Sequence, residues 1–143
     1  MANTAGIATY NAARTRMHSV LWPSSGIKVA LYGTGASVGP TTTAYTTSGE
    51  ATGPGYTAGG ITVNSGTAVA ISGNTTYVTP AADPLFSAVT IGPVDAAMFY
   101  DTGASSANIL VSTFGAQTLT GGNLTIAMPV NAVSTALFRF DWS

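Results

Sequence analysis

The clearest alternation of hydrophobic and polar positions along the chain lies at residues 27–32. One side of an extended chain would carry Ile27, Val29 and Leu31, and the other side Lys28, Ala30 and Tyr32. A period of two is typical of a β-strand because successive side chains point to opposite faces of the sheet. The pattern therefore predicts a strand with one buried face.

A helical spacing precedes this strand. The stripe consists of Tyr10, Ala13, Met17, Val20 and Leu21. Thr9 is a candidate N-cap, and Trp22-Pro23 predicts the end of the helix because the residue before a proline avoids the helical conformation. Residues 1–25 are thus predicted to form an N-terminal arm with a short helix.

Short β-like runs occupy the rest of the chain. They lie at residues 61–63, 67–71, 76–78, 85–91, 96–100, 107–113, 124–128 and 135–140. Gly, Pro, Asn or Asp interrupts nearly every gap, and no repeat or composition change marks a second domain. This pattern predicts an all-β fold, an antiparallel β-sandwich of jelly-roll-like type, with residues 26–143 in a single domain.

Residues 41–60 follow the first strand and fit neither pattern. Their sequence, TTTAYTTSGEATGPGYTAGG, has one charge and no Leu, Ile or Val. The usual connection has about 4 to 6 residues, so this segment is either a functional arm or several short irregular strands. Tyr45 and Tyr56 favour an extended arm anchored by aromatic rings, able to pair with the sheet edge of another subunit. In that hypothesis the free arm is mobile and finds its partners on neighbouring subunits.

Charge is scarce throughout the chain. The 143 residues include four basic and five acidic side chains, so 6% are charged and the formal net charge is -1. Soluble domains usually carry about 25% charged residues. Because interfaces between copies of a protein are depleted in charge, we expect other subunits to cover much of this surface. The alternative is an exposed β-domain that is simply neutral.

Several function classes fit this composition poorly. Three of the four cations are Arg14, Arg16 and Lys28, too few for a nucleic-acid surface, and both arginines are expected to meet acidic groups of a neighbouring subunit or water. The chain has no cysteine, and its single histidine, His18, cannot form a histidine metal cluster. We expect no signal peptide and no membrane span, since no run approaches about 18 apolar residues. No catalytic, cofactor or metal site is predicted.

The motif nearest to a catalytic signature is Asp101-Thr102-Gly103. Apolar strands flank it, as in the catalytic loop of aspartic proteases, where two aspartates share a proton and activate water. The chain has one copy, so a protease would have to be a retropepsin-like dimer, and the later run LTIAMPVNAVSTALF lacks the glycine expected behind such a loop. The alternative is a hairpin turn between residues 96–100 and 107–113. Gly33-Thr34-Gly35 is likewise interpreted as a turn, because no helix pattern follows it.

Three motifs in a fixed order resemble a group of small virion proteins of tailed bacteriophages. The group has a KVALY strand, a TTAYTT-GE segment and a GYTAGG segment before an apolar strand, which here are residues 28–32, 42–50 and 55–60. The resemblance continues more weakly through AAMFYDTGASSANILVSTFG and LTIAMPVNAVSTALFRF, and so covers nearly all of the chain from Gly26 onward. Members are described as head decoration or cement proteins, or as tail-fibre-associated proteins. The chain departs from the group in its aromatic end, FRFDW.

The resemblance implies a non-enzymatic structural protein of a phage particle. We expect a capsid decoration or cement protein on the outer surface of the capsid, whose partners are the major capsid protein and copies of itself in a dimer or trimer. A tail or tail-fibre component is the alternative within the particle, and a dimeric aspartic protease is the alternative of another class. Phe138 and Phe140 are expected in the core. The residues expected at an interface are Arg14, Arg16, Tyr45, Glu50, Tyr56 and Trp142.

Overall fold

The computed structural model of the protein describes residues 26–63, 68–103 and 105–141. Within these residues the regular secondary structure consists of β-strands, with no helix. The predicted all-β class is therefore confirmed for the described part of the chain. The predicted arm and helix of residues 1–25, including Arg14 and Arg16, lie outside the described residues, and so does Trp142.

The described strands form two antiparallel sheets. In chain order they are β1 Ile27–Gly33, β2 Ile61–Thr62, β3 Ala70–Ser72, β4 Thr75–Val78, β5 Leu85–Asp101, β6 Ala107–Thr125 and β7 Phe138–Asp141. The first sheet has the order β2-β1-β5-β6, and the second has the order β3-β4-β7. β1 pairs with β5 along its whole length, so the first sheet depends on contacts between residues far apart in the sequence.

β5 and β6 are longer than the sequence predicted. The predicted runs 85–91 and 96–100 belong to the single strand β5, and β6 likewise extends from the predicted run 107–113 into the run that begins at residue 124. The gap predicted between these two runs, which contains Gly92-Pro93, does not interrupt the strand: β5 passes through it with shifts of register on both sides of Val94. Proline is tolerated at such a bulge, where no N–H is needed for the ladder.

A hydrophobic cluster joins the two sheets. Val29 and Phe99 from the first sheet lie in it together with Val78 from β4, and each of them is fully buried. Phe138 of β7 is half-buried and packs against this cluster, as predicted. Phe140, which was also expected in the core, is half-buried and meets Phe138 edge to face with 5.3 Å between ring centroids. Burial of these side chains is the main driving force that holds the sheets together.

The second face of β1 is buried as well. Ala30 and Tyr32 are 0% exposed, so the prediction of a strand with one buried face is wrong. Residues 34–60, which we call the covering segment, account for the difference. Ala36, Val38 and Tyr45 from this segment pack on the cluster formed by β1 and β5 side chains. The long connection after β1 therefore serves as the cover of its own sheet.

Candidate functional site

The covering segment returns to β1 before it reaches β2. The N–H of Gly33 donates to the carbonyl of Gly49 at 2.9 Å, and the N–H of Ala51 donates to the carbonyl of Leu31 at 2.8 Å. Glu50, between these two bonds, forms an antiparallel bridge with Tyr32. This pairing fixes the backbone of Glu50 against the sheet and directs its side chain toward the aromatic residues of the segment.

The carboxylate of Glu50 accepts three hydrogen bonds. Its Oε2 atom accepts from the Tyr45 hydroxyl at 2.6 Å. Its Oε1 atom accepts from the Tyr56 hydroxyl at 2.8 Å and from the Gly59 N–H at 2.7 Å. Hydrogen bonds to an ionised acceptor are stronger than bonds between neutral groups, so this carboxylate ties both ends of residues 45–59 together.

Two further tyrosines complete this group, which we call the Glu50 cluster: Glu50, Tyr32, Tyr45, Tyr56 and Tyr100. The ring of Tyr100 stacks on that of Tyr45 with 4.6 Å between centroids, and its hydroxyl donates to the Gly59 carbonyl at 2.7 Å. The Tyr32 hydroxyl donates to the carbonyl of Thr46 at 2.6 Å. Strands β1 and β5 thus hold the covering segment through aromatic side chains.

Burial raises the pKa of all four phenols in the Glu50 cluster. It raises the pKa of Tyr32 to about 12, and it raises the pKa of Tyr100 above its ordinary value. Burial also raises the pKa of Tyr45 and of Tyr56, and the bonds that both hydroxyls donate to Glu50 add to the effect. A phenol that donates to a carboxylate resists ionisation because the two negative charges would repel. The hydroxyls therefore act as hydrogen-bond donors, and the cluster is suited to holding structure.

Glycine allows the covering segment to lie directly on the backbone of the sheet. Gly60 has a φ of +70°, and a Cβ atom there would overlap the carbonyl of Val29. Gly55 has a φ of +79°, and a Cβ atom there would lie 2.5 Å from the carbonyl oxygen of Ala88. Because both positions combine left-handed backbone with close approach, only glycine fits them without displacement. The composition of residues 41–60 thus reflects backbone packing.

Of the residues predicted at an interface, the structure brings Tyr45, Glu50 and Tyr56 together within one chain. This contradicts the expectation that the two rings find their partners only on neighbouring subunits. All three side chains keep partial exposure, and their part in an interface stays a prediction. Tyr32 and Tyr100 were missed as members of the cluster, since each looks in sequence like an ordinary strand residue.

The Asp101-Thr102-Gly103 motif lies in the turn that joins β5 to β6, as the hairpin interpretation predicts. The Oδ1 atom of Asp101 accepts from the Gly103 N–H at 2.8 Å, which is a local turn bond. The Thr102 hydroxyl donates to the carbonyl of Gly26 at 2.8 Å. The side chain of Asp101 therefore stabilises the turn, and that of Thr102 connects the turn to the residue before β1.

Gly33-Thr34-Gly35 also forms a turn, as predicted. The N–H of Ala36 donates to the carbonyl of Gly33 at 3.0 Å, and the N–H of Thr34 donates to the carbonyl of Pro93 at 3.0 Å. The turn starts the covering segment on its path across the sheet.

The outer side of β6 is the longest strand edge in the described part of the chain. Residues 43–45 pair with its first residues, since the Tyr45 N–H donates to the Ser106 carbonyl at 2.8 Å and the Asn108 N–H donates to the Thr43 carbonyl at 3.0 Å. From Ile109 to Thr125, no other described strand pairs with this side, which we call the β6 edge. A groove of about 340 Å³ between Pro40 and Leu110 lies beside its first part.

The described residues contain no group of three or more His, Cys, Asp or Glu side chains that could hold a metal ion. They also contain no helix of the length and apolarity that a membrane crossing requires. Comparison with protein-family models, with curated proteins and with solved structures found no match to this chain.

Proposed function

We propose that the chain is a non-enzymatic structural protein of a tailed-bacteriophage particle, a decoration protein that binds the major capsid protein on the outer surface of the capsid. The observation that carries the proposal is the meeting of three motifs in the Glu50 cluster. Tyr32 comes from KVALY, Tyr45 and Glu50 come from TTAYTT-GE, and Tyr56 comes from GYTAGG. The residues that carry the resemblance to phage virion proteins are thus the ones that hold the covering segment on the sheet.

The distribution of charge supports an assembled state. All acidic side chains of the chain are described, and two of its cations, Lys28 and Arg139, are described with them. The Glu50 carboxylate accepts hydrogen bonds inside the Glu50 cluster. Arg139 pairs with Asp141 at 3.3 Å on β7. Much of the remaining surface offers hydroxyls, amides and apolar groups, which can be covered by another protein without burying unpaired charge.

We further propose that the two sheets pack as a β-sandwich. Val29 and Phe99 of the first sheet share a core with Val78 of the second, as expected when two sheets face each other. A jelly-roll-like connectivity is the finer hypothesis, supported by the pairing of β1 with β5 across a long stretch of sequence. A rigid sandwich of this kind is suited to repeated use on a shell.

Cryo-electron microscopy of purified particles tests the location. The proposal predicts density of this fold on the outer face of the capsid, in a repeated arrangement that follows the symmetry of the major capsid protein. Particles that lack the protein should lose heat resistance and regain it when the purified protein is added back. Density confined to the tail would replace the proposal by the tail-component alternative, and absence from purified particles would contradict both.

A further inference from the structure

The four strands at the sheet margins differ in how they are protected. β2 has two residues, β3 has three, and β7 has four with Arg139 and Asp141 among them. β6 has 19 residues, ANILVSTFGAQTLTGGNLT, with no charged residue and no proline. Proteins usually protect an exposed strand edge with short length, charge, proline or bulges, because unpaired backbone groups attract other strands. β6 is long and has neither charge nor proline, so bulges are the only one of these protections that it can have.

Bulges protect only part of the β6 edge. The pairing of β5 with β6 shifts register repeatedly between Phe86 and Ala96, which distorts β6 beyond Thr113. It shifts once more between Phe99 and Tyr100, where Ile109 is the extra residue of a bulge. Residues 110–113 of β6 pair with residues 96–99 of β5 without a shift. A regular ladder keeps its outward N–H and C=O groups in line for a further strand. The part of the edge suited to pairing is therefore residues 110–113, next to the groove beside Pro40.

We propose that two copies of the chain associate through antiparallel pairing of residues 110–113 of β6 about a twofold axis. Such pairing would join the two first sheets into one, with the order β2-β1-β5-β6-β6-β5-β1-β2. The joined sheet ends on the two-residue strand β2 at both sides, so the association closes at a dimer instead of growing into a fibre.

The absence of charge on β6 favours a second copy of the chain as the strand that pairs with the β6 edge. About a twofold axis each side chain faces the same stretch of its own sequence, so any charge near the axis would meet a like charge. β6 has none, and the formal net charge of the chain is -1. Leu110 and Val111 remain half-buried in the single chain and would lose further contact with water on pairing. The inference deepens the proposed function, on which it rests for its biological setting.

Introduction of a charge at Ser112 provides the first test. Ser112 is half-buried and lies at the middle of the proposed pairing, next to the axis. The full-length wild-type protein should sediment as a dimer, at twice 14.3 kDa, over a concentration series. Ser112→Lys and Ser112→Glu should each weaken the dimer at least about tenfold because like charges approach across the axis, and an equal mixture of the two variants should restore it. Ser72→Lys and Ser72→Glu, on the exposed edge of β3, are the matched controls and should remain dimeric.

Cysteine cross-linking keeps the proposal testable if a charged variant fails to fold. Because the chain has no cysteine, a single cysteine placed in turn at positions 110 to 113 reports on one position at a time. Disulfide-linked dimers should peak within this range, where the axis passes, and Ser72→Cys should give few.

Three results would overturn the proposal: a wild-type protein that stays monomeric at every concentration, a mixture of Lys and Glu variants that does not recover, or cross-linking at Ser72 equal to that on β6. The first result includes the case in which residues 1–25 cover the edge. The experiments use isolated protein, so their failure would leave the location in the particle untouched.

Discussion

The covering segment and β6 have opposite relations between sequence and burial. Residues 41–60 contain no Leu, Ile or Val, yet tyrosine hydroxyls bond them to the sheet, glycines allow close backbone contact with it, and Glu50 ties the segment together. β6 contains the apolar run Ile109, Leu110 and Val111, yet most of the strand is exposed or half-buried. The difference shows that hydrogen bonds to one carboxylate and close backbone packing can order a polar segment. It also shows that β-propensity makes a strand without burying it.

Among the substitutions that test this comparison, replacement of Gly60 is expected to cause the largest loss of stability. Gly60→Ala should destabilise the protein by about 4 kcal/mol or prevent folding, because the new Cβ would overlap the Val29 carbonyl in a left-handed backbone. Gly121→Ala is the matched control in β6, where the φ is +60° and no atom lies within 4 Å of the added Cβ. It should cost about 1 kcal/mol from backbone strain alone. Chemical denaturation measures both values, and equal losses would contradict close packing at Gly60.

Removal of the Glu50 carboxylate is expected to have the next largest effect. Glu50→Ala leaves the hydroxyls of Tyr45 and Tyr56 and the Gly59 N–H without their acceptor, which should cost about 3 kcal/mol. Thr118→Ala, at an exposed position of β6, should change stability by less than about 0.5 kcal/mol. A Glu50 variant as stable as the Thr118 variant would mean that the cluster does not anchor the covering segment.

High pH should weaken the covering segment through Tyr32. Its folded-state pKa is raised to about 12 from the ordinary 10.0, so the folded protein holds this proton more tightly than the unfolded chain. The stability that this proton confers is complete below pH 10 and is lost as the pH rises through about 12. Denaturation curves between pH 9 and pH 12 should show this decline. Tyr32→Phe, which cannot ionise at this position, should show a shallower decline, and an identical slope in both proteins would contradict the assignment.

The smallest effect is expected at Asp101. Asp101→Asn keeps an oxygen that can accept from the Gly103 N–H, so stability should change by about 1 kcal/mol or less. Fluorogenic peptides offered to both proteins should remain uncut. A peptidase activity that the wild type has and the variant lacks would overturn the structural interpretation in favour of the dimeric aspartic protease.

The sequence predicted local features well, but it did not predict which residues from distant parts of the chain meet in the fold. Alternation at residues 27–32 correctly gave β1, and the Asp- and Gly-containing motif correctly gave the hairpin after β5. The burial of Tyr32 could not be predicted, because it depends on Tyr45 and Tyr100 arriving from separate parts of the chain. Strand breaks were overpredicted at Gly92-Pro93, since a turn and a bulge share the same residue types.

Part of the candidate site was visible in the sequence. Tyr45, Glu50 and Tyr56 were singled out, but as contacts to a neighbouring subunit, because nothing in a linear sequence shows that one carboxylate lies between two tyrosines. The glycines of GYTAGG gave a further signal, since several close glycines in a non-helical segment are typical of close backbone approach. That signal could have favoured a packed segment over a mobile arm.

The central claim is that the covering segment is an ordered part of the single chain, whereas the β6 edge is left for association. Amide hydrogen exchange of the isolated full-length protein, followed by mass spectrometry over a range of protein concentrations, tests both halves at once. The account predicts that residues 41–60 are protected at every concentration, and that residues 110–113 gain protection as the concentration rises. Exchange of residues 41–60 at the rate of an unstructured peptide, with β5 still protected, would contradict it.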